Sequence, residues 1–238
     1  MATTSIEADL ESDASTILVV AALKRELACL ARKPHPRLAL IETGEGQQNA
    51  SRALRSWLEK RSARAVINIG LAGALSPLLR VGDLVIAREA RAHGASFDAS
   101  CSPLFQIAER MDGARSGLSI TVDEIICEAK LKRRLAEHLA ADEIGWVDME
   151  SAAIASTCRE LNVPFLILRA ISDTLDEDLP VDFNRCRNSD GRISGRKVIL
   201  SAIRRPRAFK GLIGLQRRSE ICSQRLADFV RELLPRVL

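Results

Sequence analysis

Short apolar runs rich in β-branched residues recur along most of the chain, with helical patterns between them. The runs are Thr16–Ala22, Leu38–Thr43, Ala65–Ile69, Asp83–Ala87, Gly117–Thr121 and Pro164–Ala170. Most of them do not alternate apolar with polar residues, and a strand without alternation is one buried on both faces. Helices are predicted at Leu23–Arg32, Gln47–Arg61, Ala129–Ala141 and Met149–Leu161. Strands interleaved with helices define an α/β sandwich, and no repeat or Pro-, Gly- or Ser-rich linker divides it. After Asp173 the strand patterns stop. Asp176–Asp190 reads as a polar loop, followed by helical patterns around Val198–Ile203 and Gln216–Leu234. Pro206 interrupts that region, which predicts two or three short helices instead of one.

Charge is divided unevenly along this pattern. From Arg185 to the end stand 14 Lys/Arg against 4 Asp/Glu, whereas the rest carries 21 against 27, within a net charge of +4. Residues 1–15 hold Glu7, Asp9, Glu11 and Asp13 and no basic residue, unlike a secretory signal; they read as a disordered acidic tail. The expected layout is therefore a tail over 1–15 and one domain over 16–238, with 185–238 a basic helical extension. Runs such as Ile17–Leu23 are too short to span a bilayer. Six cysteines without a C-x-x-C spacing predict reduced thiols in a cytoplasmic protein. Aromatics make up 3% with no Tyr, which argues against a base-stacking nucleic-acid platform.

Three acids stand where α/β proteins place reactive groups, after strands or at helix starts. Glu26 lies just beyond the first run, Glu150 in Val147-Asp148-Met149-Glu150-Ser151, and Asp173 at the end of the last run. Each also suits a structural role: an exposed first-turn acid, a helix-dipole partner and a cap. Gly44-Glu45-Gly46 lacks the third glycine of a dinucleotide fingerprint. Gly70-Leu71-Ala72-Gly73 suits backbone approaching a ligand, or a tight turn. His35, His93 and His138 have no metal-site spacing, and no G-x-S-x-G elbow is present.

Taken in order, these segments resemble the nucleoside phosphorylase and nucleosidase superfamily, in particular its methylthioadenosine/S-adenosylhomocysteine nucleosidase branch. The segments are Ala22-Leu23-Lys24-Arg25-Glu26, Thr43-Gly44-Glu45-Gly46, Val66–Leu75, Val81–Ile86, Val147–Ala155 and Arg169-Ala170-Ile171-Ser172-Asp173. The resemblance implies a three-layer sandwich with a mixed central sheet and cleavage of the N-glycosidic bond of a purine nucleoside. It makes Asp173 the acid that protonates the leaving base and Glu26 the carboxylate that positions water. Glu150 holds the ribose hydroxyls, Met149 packs on the sugar, and Ile125 and Ile126 line the base pocket where the family has an aromatic. Leu71, Ala72, Gly73 and Ser172 complete the implied site. No cofactor is implied, phosphate being a co-substrate only in a phosphorylase.

An acidic Glu26 repels an anionic nucleophile and favours water. Asn68 and Leu71, where many phosphorylases have Arg and Ser, argue the same way, although nucleosidases usually keep Ser at the Leu71 position. A non-catalytic nucleoside binder is the alternative of another class. Asp176–Pro180, Asp190-Gly191-Arg192 and Arg204-Arg205-Pro206 resemble the hopanoid-associated phosphorylase branch, which implies adenosylhopane as substrate. The basic stretch interleaved with Phe209, Leu212, Ile213 and Leu215 suits an anionic membrane surface, or packing on the domain. A homodimer is the assembly the resemblance implies.

Overall fold

The computed structural model describes residues 16–188, 193–203 and 206–238. The acidic tail over 1–15 lies outside them, as do Asp190, Gly191, Arg192, Arg204 and Arg205 of the C-terminal motifs. The chain runs through β1 (Ile17–Ala21), α1 (Lys24–Ala31), β2 (Leu38–Glu42), α2 (Gln47–Leu58) and β3 (Ala65–Ala74). It continues through β4 (Leu84–Ala92), β5 (Ala95–Asp98), α3 (Pro103–Glu109), β6 (Ala114–Thr121) and α4 (Ala129–Ala136). Next come β7 (Gly145–Asp148), α5 (Ser151–Glu160), β8 (Phe165–Asp173), a single 3₁₀ turn at Asn184–Cys186, α6 (Gly195–Ile203) and α7 (Pro206–Val237).

The eight strands form one mixed sheet. β1 lies parallel between β2 and β3, and β8 is parallel to β3 but antiparallel to β4. β4 pairs in parallel with β6 and β6 with β7, while the end of β3 returns antiparallel to β7. Residues of one strand serve both faces. Ile17, Val19 and Ala21 pack with α1, α3 and α7; Leu18 and Val20 pack with α2 and α5. That double burial is why the runs do not alternate.

The sandwich is the expected one, with several differences in its elements. β5, α3 and β7 have no counterpart among the predicted elements. β7 is only four residues long, and its buried Trp146 and Val147 are too few to make a pattern. α4 ends at Ala136, five residues early, as bonds from His138 to Leu135 and from Leu139 to Ala136 tighten its last turn. Pro206 starts α7, where its missing N–H leaves no bond unmade, so the region holds one short and one 32-residue helix. The inner face of α7 carries Leu226, Val230 and Leu233, all wholly buried beside Leu30 of α1 and Leu168 of β8. β3 and β8 run past their expected ends to Ala74 and Asp173, so Gly70–Gly73 is strand and not a turn.

Candidate active site

The site is built on the ends of β3 and β8. Register runs Leu71↔Ala170 and Ala72↔Ile171 and then skips Ser172 to pair Gly73 with Asp173. A bulge of this kind re-aims the side chains around it. Ser172 Oγ donates to Asp173 Oδ1 at 2.7 Å and also lies 3.3 Å from the Ala72 carbonyl. A methyl on Gly73 would stand 3.0 Å from Asp173 Oδ2, so glycine makes room for the carboxyl group. Asp173 is 5% exposed.

Glu26 enters from the first turn of α1 and is equally well buried. Leu23 N–H donates to its Oε2 at 2.9 Å and Leu71 N–H to its Oε1 at 3.2 Å. The same strand end therefore contacts Glu26 through Leu71 and leaves space for Asp173 through Gly73. The Leu71 side chain packs against the hydrophobic cluster beneath α1, so its part in the site is its backbone N–H. Burial pushes the Glu26 carboxyl above its ordinary value, against the pull of the Leu23 N–H and of Arg169.

Glu150 is the N-cap of α5 and accepts a 2.8 Å bond from Gly46 N–H. Gly46 holds φ at +87°, a conformation that favours glycine, and this aims its N–H at the carboxylate. Desolvation raises Glu150 to about 8; Arg169 opposes the shift, and Asp148 and Glu26 add to it. At neutral pH its carboxyl is mostly protonated.

Arg169, Asn68 and Asp148 form a buried network beneath these acids, and nothing local in the sequence joins the three. Arg169 donates to Asp148 Oδ2 at 3.2 Å, to Asn68 Oδ1 at 2.6 Å and to the Asn68 carbonyl at 3.1 Å. Asp148 also accepts from Ser119, Thr121 and Ser151. Burial works against its charge, but Arg169 and Ser151 outweigh that and hold the carboxyl low. An arginine inside the apolar run Leu166–Ile171 was the legible signal, since a buried guanidinium needs an acid partner. Lys132 of α4 was also missed; its Nζ donates to Asp173 Oδ2 at 2.7 Å.

The remaining expected residues lie further out. Met149 is partly buried between β7 and α5, with its sulfur 3.7 Å from Arg187 Nη2. Ile125 and Ile126 are partly buried in the loop after β6, where Asn184 bonds both the N–H and the carbonyl of Ile125. Among the described residues no group of three or more His, Cys, Asp or Glu is placed to hold a metal ion.

A mixed three-layer sandwich with buried acids gathered at its strand ends has known counterparts. The chain belongs to the phosphorylase superfamily, whose family model matches residues 32–193. More particularly, it is 30% identical over 184 residues to a 5′-methylthioadenosine/S-adenosylhomocysteine nucleosidase of Shewanella sediminis, covering 68% of this chain and 79% of that one. The Shewanella oneidensis nucleosidase is 31% identical over 185 residues, covering 68% and 78%.

The fold matches the Neisseria meningitidis nucleosidase in complex with methylthio-immucillin-A, with a TM-score of 0.68 and 23% identity over 92% of this chain and 98% of that one. It also matches a Helicobacter pylori nucleosidase, with a TM-score of 0.71 and 16% identity over 94% and 99%. The chain is an enzyme of the purine nucleosidase and phosphorylase class, and its reaction is cleavage of a purine nucleoside's N-glycosidic bond.

Proposed function

We propose that the chain hydrolyses a 5′-substituted adenine nucleoside, with Asp173 as general acid and Glu26 positioning the attacking water. The observation that carries this reading is the shared strand end. Leu71 N–H bonds Glu26, and two residues on Gly73 adjoins Asp173. Cleavage builds positive charge on the sugar and negative charge on the base, so it needs an acid at the base and a nucleophile at the opposite face of the sugar.

Glu26, held above its ordinary value, is suited to take the water's proton. Glu150, protonated near neutral pH, both donates to and accepts from ribose hydroxyls; Met149 packs on the sugar, and Ile125 and Ile126 line the base. Water is favoured over phosphate because the guanidinium that acts most strongly on Glu26 is already committed. Arg169 is paired with Asp148 and Asn68, and Glu26 adds repulsion.

For the 5′ group the reading is a polycyclic lipid, as in adenosylhopane, with the enzyme a cytoplasmic homodimer that touches an anionic membrane. Support for the contact is that Ile199 and Leu200 of α6 and Phe209 and Ile213 of α7 are exposed. Arg196, Lys197, Arg207 and Lys210 stand among them in sequence and are exposed too. Among the described residues no helix is long and apolar enough to cross a membrane.

The test is product analysis on a nucleoside panel that includes lipid-linked adenosine, with and without phosphate. Free adenine and the 5′-substituted ribose, without phosphate acceleration, are the expected products. Ribose 1-phosphate would overturn the choice of water, and no release by wild-type enzyme would overturn hydrolysis.

A further inference from the structure

Lys132 is wholly buried, although it lies in the run Lys130-Leu131-Lys132-Arg133-Arg134, which reads as solvated. Burying an ammonium group costs several kcal/mol unless it is paired and hydrogen-bonded. Here Nζ donates to Asp173 Oδ2 at 2.7 Å and to the Thr174 carbonyl. The segment after β8 holds α4 in place. Asp178 Oδ1 accepts from Ala129 N–H at 2.7 Å, and Leu179 N–H donates to the Cys127 carbonyl at 2.8 Å. With Ser172 on Oδ1, both oxygens of Asp173 accept hydrogen bonds. Nζ thus places a proton donor 2.7 Å from the carboxyl group that faces the purine in that reading.

We infer that Lys132 is a positioning residue that stores the proton Asp173 passes to the leaving base. The inference rests on the reading of Asp173 as general acid given above. In the step, the C1′–N9 bond breaks and its electron pair enters the purine. The purine N7 takes a proton from Asp173, which takes one from Lys132 Nζ. Water oxygen bonds C1′ and its proton passes to Glu26. Lys132 ends as a neutral amine, Asp173 as a carboxylate and Glu26 protonated, so the charge of the three together is unchanged.

The test compares an adenine nucleoside with 4-nitrophenyl β-D-ribofuranoside, whose nitrophenolate leaves without a proton. Lys132→Met is expected to lower kcat on the nucleoside about 10²-fold, with KM within twofold and nitrophenolate release unchanged. Lys132→Arg is expected to show the same selective loss, because a guanidinium keeps the charge but does not give up its proton. Full nucleoside turnover in either variant, or equal loss on both substrates in a folded variant, would overturn the inference.

Should neither variant fold, a wild-type proton inventory decides. A dependence on deuterium fraction that requires three transferred protons for the nucleoside and one for the nitrophenyl riboside supports the relay; two for the nucleoside overturns it. Asp173→Asn separates the two levels. If it keeps nucleoside turnover, the general-acid reading fails; if it alone shows the selective loss, only the role of Lys132 fails.

Discussion

Gly73 and Asp173 are register partners on adjacent strands, and a β-carbon on the glycine would lie 3.0 Å from Asp173 Oδ2. The carboxylate has little freedom to yield, because Lys132 holds Oδ2 and Ser172 holds Oδ1. Gly73→Ala is therefore expected to displace the acid and cut kcat about 10²-fold, since small misplacements of reacting groups are costly. A crystal structure of the variant with kinetics checks this; full activity would mean the carboxyl group moves without consequence.

Removing the charge of Glu26 probes the nucleophile side. Glu26→Gln keeps an oxygen for Leu71 N–H but loses the base, and kcat should fall about 10²- to 10³-fold. Adding phosphate to this variant should not restore turnover. Rescue by phosphate, with ribose 1-phosphate as product, would show that the pocket accepts an anion once the glutamate is neutral.

Glu150 makes stability depend on pH. Between the ordinary glutamate value of 4.5 and about 8, the unfolded carboxyl has lost its proton and the folded one retains it. Folding then takes up a proton, and raising pH through this window opposes folding. Wild-type Tm should fall relative to that of Glu150→Gln between these limits, and the difference should level off above about pH 8. Parallel Tm curves would place the Glu150 carboxyl at its ordinary value.

The packing of β6 is testable without reference to chemistry. A methyl on Gly117 would come within 2.1 Å of the Ile144 carbonyl oxygen, which is backbone and cannot rotate away. Gly117→Ala should cost about 3 kcal/mol, or roughly 10 °C in Tm for a chain of this size. Calorimetry measures it directly.

Contact with membranes predicts binding to phosphatidylserine-containing vesicles that weakens with salt and is absent with neutral vesicles. Phe209→Ser with Ile213→Ser should reduce that binding, both side chains being more than two-fifths exposed, and should leave cleavage of a water-soluble nucleoside intact. Vesicle sedimentation across a salt series gives the answer. Unchanged binding would move the contact elsewhere.

What could be seen in the sequence depended on how far each feature reaches. The lack of alternation in Ile17–Ala21 announced a sheet covered on both sides, because each residue's own burial is written in its type. Asp173 and Glu26 were visible as acids beside apolar runs. The pairing of Gly73 with Asp173 was not, since nothing local reveals that β8 lies against β3 or that register skips Ser172. Lys132 was hidden for a related reason. Its face of α4, shared with Ala129, is buried against the ends of β3 and β8 and the segment that follows them. Arg169 is legible as the one charged residue in the apolar run Leu166–Ile171.

The long last helix is held to different standards along its length. Its far half is a structural wall: burial of Leu226, Val230 and Leu233 contributes roughly 1.5–3 kcal/mol each and closes the core under the strand that bears Asp173. Its near half carries the exposed Phe209 and Ile213. One rigid rod thus joins a surface open to change to a face where change is punished. Substitutions can retune the outer end without disturbing the site. Cutting the rod behind that end would take away the longest helix of its layer and the cover it gives the strand that bears Asp173.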